Sequence, residues 1–350
     1  MTDEPLTYAK SGVDIQAKDQ AAKAIHGLLS YARSGVGRPL GGAGHFAGLV
    51  EFGEHALVLA TDGVGTKLEV ATALRKWDTV GIDCVAMNVN DAVCVGAEPI
   101  AFVDYLAIDK PDPALVAELA KGLNEGARQS NMTIVGGETA VLPSIVNGFD
   151  LAGTVLGFVR KDEIVGGQAI APGDVMLGVP SSGVHSNGYT LVRKAMERAG
   201  VHLADPLPDG RTVGETLLEP TRIYVRAVLD MLGAVPRSAV HGISHITGSG
   251  LLNVPRLRKD VRYVLDDPLD VPPIFRHVQR WGGVEEAEMW RTFNMGMGLC
   301  VLVAPGHAEA ALAALRKHWS GAKRVGRVEP GTGVSVPRFG VELTGAKASF

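Results

Sequence analysis

The stretch Ala56-Leu-Val-Leu-Ala-Thr-Asp-Gly-Val-Gly-Thr-Lys67 joins an apolar run to a glycine-rich turn bounded by polar residues. The apolar run Ala56–Ala60 predicts a short buried strand, and Thr61-Asp-Gly63 predicts the loop that follows it. Asp62 is therefore expected at the end of a strand, where its carboxylate can reach a ligand while the strand itself lies in the core.

The same order of strand, glycine loop and helix returns in the second half of the chain. There the apolar run Val175–Val179 precedes the polar glycine loop Ser181–Gly188 and an amphipathic helix that extends to about Ala199. Both halves mix strands with helices. The sequence therefore predicts the α/β (α+β) class, with two domains that each contain a mixed sheet packed with helices.

A domain boundary is predicted near residue 168, because Gly166–Gly173 is rich in turn residues. It divides the chain into a first domain, 1–168, a second domain, 169–341, and a frayed tail, 342–350. Hydrophobic spacing predicts further helices over 78–95, 111–129 and 220–232, and further strands over 100–108, 132–135, 150–159 and 239–244.

The overall composition narrows the class of protein. Of 350 residues, 46% are hydrophobic and 21% are charged, which argues against a disordered chain. The 34 basic and 38 acidic residues give a formal net charge of −4, so no general positive field would attract nucleic acid. The apolar runs are far shorter than the roughly 20 residues of a membrane-spanning helix, so no membrane partner is expected.

Cysteine use and the first residues favour a cytoplasmic protein. Cys84, Cys94 and Cys300 lie in apolar surroundings without C-x-x-C spacing, so we expect buried thiols and neither disulfides nor a zinc site. Residues 1–10 carry acids and a proline where a secretion signal needs a basic start and an apolar run. Both features are typical of a reducing compartment.

Three carboxylates stand at predicted element ends. Asp62 ends a strand, Asp91 lies in the last turns of a helix, and Glu138 follows Gly136-Gly137 at the exit of a strand. Oxygen ligands in such positions are what Mg²⁺ uses when it binds with a nucleotide phosphate. Lys67 could contact that phosphate as a point charge. The alternative is that each acid is a helix cap or a surface residue.

Two further acids lie inside apolar segments. Asp83 falls within the predicted helix, and Asp104 falls within the strand that contains Phe102-Val-Asp-Tyr105. A buried carboxylate must be paired or bound to a cation. Each is therefore either a structural hydrogen-bond acceptor or a metal ligand.

Common nucleotide-binding fingerprints are absent from the sequence. No G-x-x-x-x-G-K-[ST] motif occurs, and Gly42-Ala-Gly-His-Phe-Ala47 matches only a loose G-x-G-x-x-A without a clear strand before it. This segment is either a flexible lid over phosphates or a surface loop.

Two of the ten histidines lie in glycine-polar loops after predicted strands. His185 belongs to Ser181–Gly188, and His245 begins His245-Ile-Thr-Gly-Ser-Gly250. A neutral imidazole in such a loop suits proton transfer or a hydrogen bond to substrate. The alternative is a histidine that only satisfies the backbone of its own loop.

Nine motifs follow one another over about residues 8–340: Tyr8-Ala-Lys-Ser-Gly-Val-Asp-Ile15, Thr61-Asp-Gly-Val-Gly-Thr-Lys67, Val85-Ala-Met-Asn-Val-Asn-Asp91, Gly96-Ala-Glu-Pro99, Val135-Gly-Gly-Glu-Thr-Ala140, Ser181-Ser-Gly-Val-His-Ser-Asn-Gly-Tyr189, Pro220-Thr-Arg-Ile-Tyr224, His245-Ile-Thr-Gly248 and Arg291-Thr-Phe-Asn294. In this order they resemble the phosphoribosylformylglycinamidine cyclo-ligase (aminoimidazole ribonucleotide synthetase) family.

The resemblance implies a ligase of purine biosynthesis that forms a C–N bond. Such an enzyme uses ATP and Mg²⁺ to convert formylglycinamidine ribonucleotide into aminoimidazole ribonucleotide, with release of ADP and phosphate. Phosphorylation of the formyl oxygen turns it into a good leaving group before a nitrogen attacks the same carbon. The resemblance also implies a homodimer whose N-terminal sheets form a barrel across the interface.

The resemblance assigns roles residue by residue. It implies three groups of site residues: Mg²⁺-nucleotide ligands Asp62, Asp91 and Glu138, with Asp104 as a possible fourth; nucleotide or phosphate contacts Gly63, Gly65, Thr66, Lys67, Gly136, Gly137, Asn187, Thr247 and Gly248; and catalytic side chains His185, His245 and Lys67. Two positions depart from the family pattern, where glycines are usual: Ser249 and His45. A serine still permits a tight turn if its φ stays negative.

Related activities remain as alternatives. Selenophosphate synthetase, thiamin-monophosphate kinase and the hydrogenase-maturation dehydratase belong to the same ATP-binding superfamily. The sequence lacks a cysteine in an N-terminal glycine loop and a terminal cysteine, which disfavours the first and the last of these. A non-catalytic subunit that kept the fold is a further alternative.

Overall fold

The computed structural model describes residues 5–12, 17, 20–21, 24–25, 28–41 and 45–345. Its strands are β1 (Gly48–Phe52), β2 (His55–Gly63), β3 (Glu98–Ile108), β4 (Thr133–Val141), β5 (Phe149–Arg160), β6 (Val175–Pro180), β7 (Val240–His245), β8 (Val261–Val264), β9 (Met297–Val303), β10 (Lys323–Pro330), β11 (Gly333–Val336) and β12 (Val341–Leu343).

The helices lie singly or in groups between these strands. They are α1 (Lys67–Leu74), α2 (Asp78–Val93), α3 (Pro113–Ser130), α4 (Tyr189–Ala199), α5 (Val213–Leu217), α6 (Val225–Ala234), α7 (Pro273–Gly282), α8 (Glu286–Thr292) and α9 (Ala308–His318). Among the described residues, no helix combines the length and apolar character needed to cross a membrane.

The first sheet has the order β1-β2-β5-β3-β4, in which β3 and β4 are parallel and the other pairs are antiparallel. Helix α2 packs on β2 and β5, and α3 packs on α2. The two helices approach closely because Gly81 and Gly122 face each other. A Cβ on Gly122 would lie 2.0 Å from the Asp78 carbonyl oxygen. This packing fixes α2 against the sheet and leaves its last turn beside the second sheet.

The second sheet has the order β12-β11-β8-β10-β6-β9-β7. Strand β9, which lies between β6 and β7, is buried along its whole length, as a strand with both faces covered should be. Residues 161–174 connect the two sheets, and the boundary predicted near residue 168 falls within this connection. The predicted mixture of strands and helices in two sheets is confirmed.

The other face of the first sheet carries large apolar side chains that are exposed. Tyr105 is 45% exposed, Val135 65% and Leu59 45%. An apolar surface of this kind on a folded chain is typical of an interaction site.

Three predicted element boundaries are wrong. The helix predicted over 220–232 begins only at Val225, because the backbone N–H groups of Thr221 and Tyr224 donate to side chains of α2 and not to a preceding turn. The strand predicted to end at Val135 continues to Val141. The predicted tail begins too early, because Leu343 is buried and pairs with Val334. Residues 346–350 lie outside the described residues.

The three cysteines behave as predicted. Cys84, Cys94 and Cys300 are buried and free. Burial raises the pKa of the Cys300 thiol to about 12, so this group stays protonated at neutral pH.

Candidate active site

The last turn of α2 meets the end of β7 through a carboxylate–imidazole pair. His245 Nδ1 lies 2.8 Å from Asp91 Oδ1. The imidazole is fully buried, whereas 18% of the Asp91 side chain is exposed. A carboxylate that accepts from Nδ1 holds the neutral ring in the tautomer whose Nε2 is unprotonated. The arrangement can therefore accept a proton at His245 Nε2.

The side-chain amide of Asn90 lies beside the Asp91–His245 pair. Asn90 Nδ2 lies 3.5 Å from His245 Nε2 and also donates to the Arg222 carbonyl at 2.8 Å. The Asn90 amide is thus held mainly by the backbone and makes only a long contact with the ring.

His185 sits in the loop after β6 with a different environment. Its Nε2 accepts from the Ser182 backbone N–H at 3.1 Å, and its φ of 65° is in the left-handed region. Burial, together with the nearby charges of His245 and Lys67, lowers the pKa of His185 well below its usual value. The ring is neutral at physiological pH, and its buried Nδ1 has no hydrogen-bond partner in the described part of the chain.

Asp62 and Asp104 lie in one row across the first sheet. The register pairs Asp62 with Gly153, Gly153 with Asp104, and Asp104 with Gly137. Paired residues of neighbouring strands point to the same face, so both carboxylates face the helix side, separated by a glycine. Their Cα atoms are about 10 Å apart by strand spacing.

The glycines of this row make room for neighbouring side chains. A Cβ on Gly153 would lie 2.0 Å from Phe102 Cζ. A Cβ on Gly137 would lie 2.4 Å from Asp104 Oδ1. Burial raises the pKa of the Asp104 carboxyl, which means that its charge lacks full compensation within the described chain. Two carboxylates at this distance can flank a metal–phosphate group, and their oxygen atoms are the donors that Mg²⁺ prefers.

Glu138 points away from this row. It pairs with Tyr105 on β3, one residue beyond the Asp104–Gly137 pair, so its side chain emerges on the opposite face. The structure therefore does not bring Asp62, Asp91, Asp104 and Glu138 together within one chain. No group of three or more potential metal ligands occurs among the residues that the structure describes.

Lys67 is in the interior, contrary to its predicted contact with phosphate. Its side chain is fully buried, and its Nζ lies 2.7 Å from Asp83 Oδ2 and 2.7 Å from the Glu219 carbonyl oxygen. The preceding Thr66 faces Thr190, with 3.2 Å between the two hydroxyl oxygens. The ammonium group satisfies a buried carboxylate, and in this conformation it does not face the row of acids.

The two loops of the second domain meet beside α2. A Cβ on Gly248 would lie 3.0 Å from Asn187 Oδ1, and Asn187 Nδ2 lies 3.7 Å from Met87 Sδ. The Thr247 hydroxyl faces Asn253 at 3.4 Å. These predicted contact residues therefore cluster close to His245.

Both departures from the family pattern have structural consequences. Ser249 has a φ of 85°, so the condition of a negative φ is not met, and the residue occupies a conformation that favours glycine. His45 accepts at its carbonyl oxygen from Arg256 Nη2 at 3.0 Å, and burial lowers its pKa to about 4. The glycines at 42 and 44 lie outside the described residues, so the proposed lid remains a prediction.

Comparison with known proteins identifies the family. Residues 44–159 match the model described as AIR synthase related protein, N-terminal domain, and residues 171–337 match the corresponding C-terminal domain. A phosphoribosylformylglycinamidine cyclo-ligase of Methanosarcina barkeri is 53% identical over 330 residues, which are 94% of this chain and 96% of the relative. The chain belongs to the phosphoribosylformylglycinamidine cyclo-ligase family. A second relative with this name, from Methanosarcina acetivorans, is 51% identical with the same coverage.

Solved structures share the fold at low identity. A chain of the HypE–HypF complex aligns with a TM-score of 0.62 at 18% identity, over 87% of this chain and 93% of that one. AaThiL complexed with AMPPCP and TMP aligns with a TM-score of 0.61 at 16% identity, over 93% of each chain. These structures show only the fold. The predicted family and enzyme class are confirmed by the relatives.

In this cyclo-ligase family member, sequence reasoning missed several residues that shape the site. Asn90 and Thr221 link α2 to the second domain, and Ser182 holds the His185 ring. One signal was available: Asp83 and Asn90 are separated by two helical turns and so share a face of α2. Their partners, more than 130 positions away, were not accessible from local patterns.

Proposed function

We propose that this chain catalyses the ATP-dependent closure of formylglycinamidine ribonucleotide to aminoimidazole ribonucleotide, with release of ADP and phosphate. The observation that carries the proposal is the Asp91–His245 pair at the junction of the two domains, in a chain of the cyclo-ligase family. It provides a base where a ring-closing nitrogen must lose a proton.

The proposed reaction has two steps. In the first, the formyl oxygen attacks the γ-phosphorus of ATP, the bond to ADP breaks, and the oxygen becomes a phosphate ester. In the second, the amidine-derived nitrogen attacks the same carbon, and the C–O bond breaks to release phosphate. His245 Nε2 takes the proton from that nitrogen, while Asp91 stabilises the imidazolium.

The nucleotide and Mg²⁺ are proposed to bind at the row of Asp62 and Asp104. Mg²⁺ would neutralise the charge that develops on the transferred phosphoryl group. Gly65 and Gly137 are proposed as contacts for phosphate oxygens, whereas the Gly63 backbone N–H already donates to Asp62 Oδ1 at 2.8 Å. Lys67 is not retained as a phosphate contact in this proposal, because its ammonium group is buried against Asp83.

We also propose a homodimer formed through the exposed face of the first sheet. Tyr105 and Val135 on this face would be buried by a second copy, and Glu138, which pairs with Tyr105, would lie at that interface. Such burial would supply the hydrophobic driving force for association. A cytoplasmic location is part of the proposal, in keeping with three reduced thiols.

The test measures ADP release and aminoimidazole ribonucleotide formation together, with Mg²⁺, ATP and one of three acceptors. We expect both products only with formylglycinamidine ribonucleotide, and neither with selenide or thiamin monophosphate. Asp62→Asn should lower both rates by at least ~100-fold, as loss of a metal–phosphate ligand does. Turnover with another acceptor, or none with any, would refute the proposal.

A further inference from the structure

A segment of the second domain, residues 219–224, is held between α2 and the loop that bears His185. We call it the bridging segment. We propose that the buried Lys67–Asp83 pair is a positioning device for catalysis: it fixes the bridging segment and so sets where the His185 and His245 loops meet the last turn of α2. The proposal rests on the roles given above to Asp91 and His245.

The first end of the bridging segment is fastened by the ion pair. Asp83 Oδ1 accepts from the Thr221 backbone N–H at 2.8 Å and from the Thr221 hydroxyl at 2.5 Å. Lys67 Nζ binds Asp83 Oδ2 and donates to the Glu219 carbonyl, each at 2.7 Å. Both charged side chains are fully buried, so water does not compete for these bonds.

The other end is fastened two helical turns further along α2. Asn90 Oδ1 accepts from the Tyr224 backbone N–H at 2.9 Å, and Asn90 Nδ2 donates to the Arg222 carbonyl at 2.8 Å. Asn90 directly precedes Asp91. The residue that secures the bridging segment is therefore adjacent to the carboxylate that orients His245.

From the opposite side, the bridging segment holds the loop after β6. The Ser182 hydroxyl donates to the Pro220 carbonyl at 2.6 Å, and the Tyr224 hydroxyl donates to the Pro180 carbonyl at 3.0 Å. Ser182 in turn donates its backbone N–H to His185 Nε2. A continuous chain of hydrogen bonds thus runs from Lys67 to the His185 ring.

The charges explain why a pair is required. A lone Asp83 carboxylate would be costly to bury, and a lone neutral acceptor would bind the Thr221 groups less strongly. Lys67 supplies the opposite charge at 2.7 Å from the Asp83 carboxylate. Both side chains are occupied by each other and by Glu219 and Thr221, so they act through the bridging segment.

The first test compares Thr221→Val with Thr221→Ser. Valine removes the hydroxyl donor to Asp83 at nearly constant shape, whereas serine keeps it. We expect Thr221→Val to lower kcat by about tenfold, since small displacements of reacting groups have effects of this size, and to leave the KM for ATP within about twofold. Thr221→Ser should restore kcat. Wild-type kcat in Thr221→Val, or equal loss in both variants, would overturn the proposal.

The second test separates positioning from stability. In Lys67→Met/Asp83→Leu both buried charges are replaced by apolar groups, a change that proteins often tolerate. We expect this variant to fold, with kcat lowered more than ~10-fold and with faster amide hydrogen exchange in the bridging segment but not in β9. Full kcat in a folded double variant would contradict the proposal, and so would unchanged exchange. If the double variant does not fold, the comparison of Thr221→Val with Thr221→Ser is the deciding test.

A failure of this positioning proposal can be distinguished from a failure of the proposed function. Exchange rates in the bridging segment are measured without substrate, so they test whether the Lys67–Asp83 pair fixes this segment even if the wild-type protein forms no aminoimidazole ribonucleotide. Rapid exchange in Thr221→Val together with wild-type turnover would reject positioning while leaving the proposed reaction intact.

Discussion

Helix α2 carries two carboxylates, at positions 83 and 91, that have opposite surroundings. Asp83 is fully buried against an equally buried lysine, and its two oxygens are occupied by Lys67 and Thr221. Asp91 is partly exposed and binds the Nδ1 edge of an imidazole, whose Nε2 remains an acceptor. The first arrangement has no capacity left for a ligand, whereas the second can take up a proton.

The difference shows that an aspartate on one helix can stabilise the fold at one position and support catalysis at another. A carboxylate that is satisfied on all sides stabilises the fold. A carboxylate that is itself partly exposed and that orients a titratable imidazole supports catalysis. The two positions therefore predict different responses to mutation.

The largest effect is expected for His245→Gln. Loss of the proton acceptor should lower kcat by about 10³-fold, within the range for general-base residues. His241→Gln is the matched control, because His241 lies on the same strand and also pairs with an aspartate, Asp174, at 2.7 Å. Steady-state product formation measures both. Equal losses of kcat in the two variants would show that the His245–Asp91 pair contributes no more to catalysis than the partly buried His241–Asp174 pair.

The structural role of Asp83 is tested by the variant Lys67→Met. An uncompensated Asp83 in the core should lower the free energy of unfolding by about 3–5 kcal/mol, as for other broken buried ion pairs. Lys76→Met, which breaks an exposed pair with Asp78, should change it by less than about 1 kcal/mol. Urea unfolding measures both. A small change at Lys67 would mean that the interior tolerates the unpaired carboxylate.

A steric change tests the row of acids on the first sheet. In Gly137→Ala the new Cβ would lie 2.4 Å from Asp104 Oδ1, whereas in Gly136→Ala it would meet no atom within 4 Å. Displacement of the carboxylate should raise the Mg²⁺ concentration for half-maximal activity by about tenfold. Gly136→Ala should match the wild type. Equal Mg²⁺ requirements in the two variants would show that Asp104 does not bind the metal.

The smallest effect concerns pH and the buried His185. Its pKa is lowered by burial, so the unfolded chain binds a proton at higher pH than the folded chain does. The free energy of unfolding should therefore fall as the pH drops below about 6.5, by roughly 1 kcal/mol down to pH 5.5 from this group alone. In His185→Asn the new asparagine tolerates the positive φ but does not titrate. The free energy of unfolding of this variant, measured by urea titration, should therefore fall by that much less over the same pH range. An identical pH dependence would show that His185 is not buried in its neutral form.

Local patterns predicted much of the framework but not its long-range contacts. The apolar run at 56–60, the helix beginning at Asp78 and the position of His245 after a strand follow from periodicity and turn residues. The inward direction of Lys67 depends on Glu219, which is 152 positions away. Likewise, the start of the helix at Val225 depends on acceptors supplied by α2.

The position of Glu138 shows a second limit. A bulge between Phe102 and Val103 changes the register of β3 against β4, and a shift of one residue moves a side chain to the other face. The sequence placed Glu138 near the other acids because it predicted a strand end before Gly136. The longer strand places Gly137, and not Glu138, beside Asp104.

The central claim is that Asp91 contributes to catalysis, whereas Asp83 stabilises the fold. The most direct test measures kcat and the free energy of unfolding for Asp83→Asn and Asp91→Asn under identical conditions. We predict that Asp91→Asn lowers kcat more than ~100-fold and the free energy of unfolding by at most about 1 kcal/mol, while Asp83→Asn lowers both, the latter by about 3 kcal/mol or more. Parallel losses of both quantities in the two variants would contradict the claim.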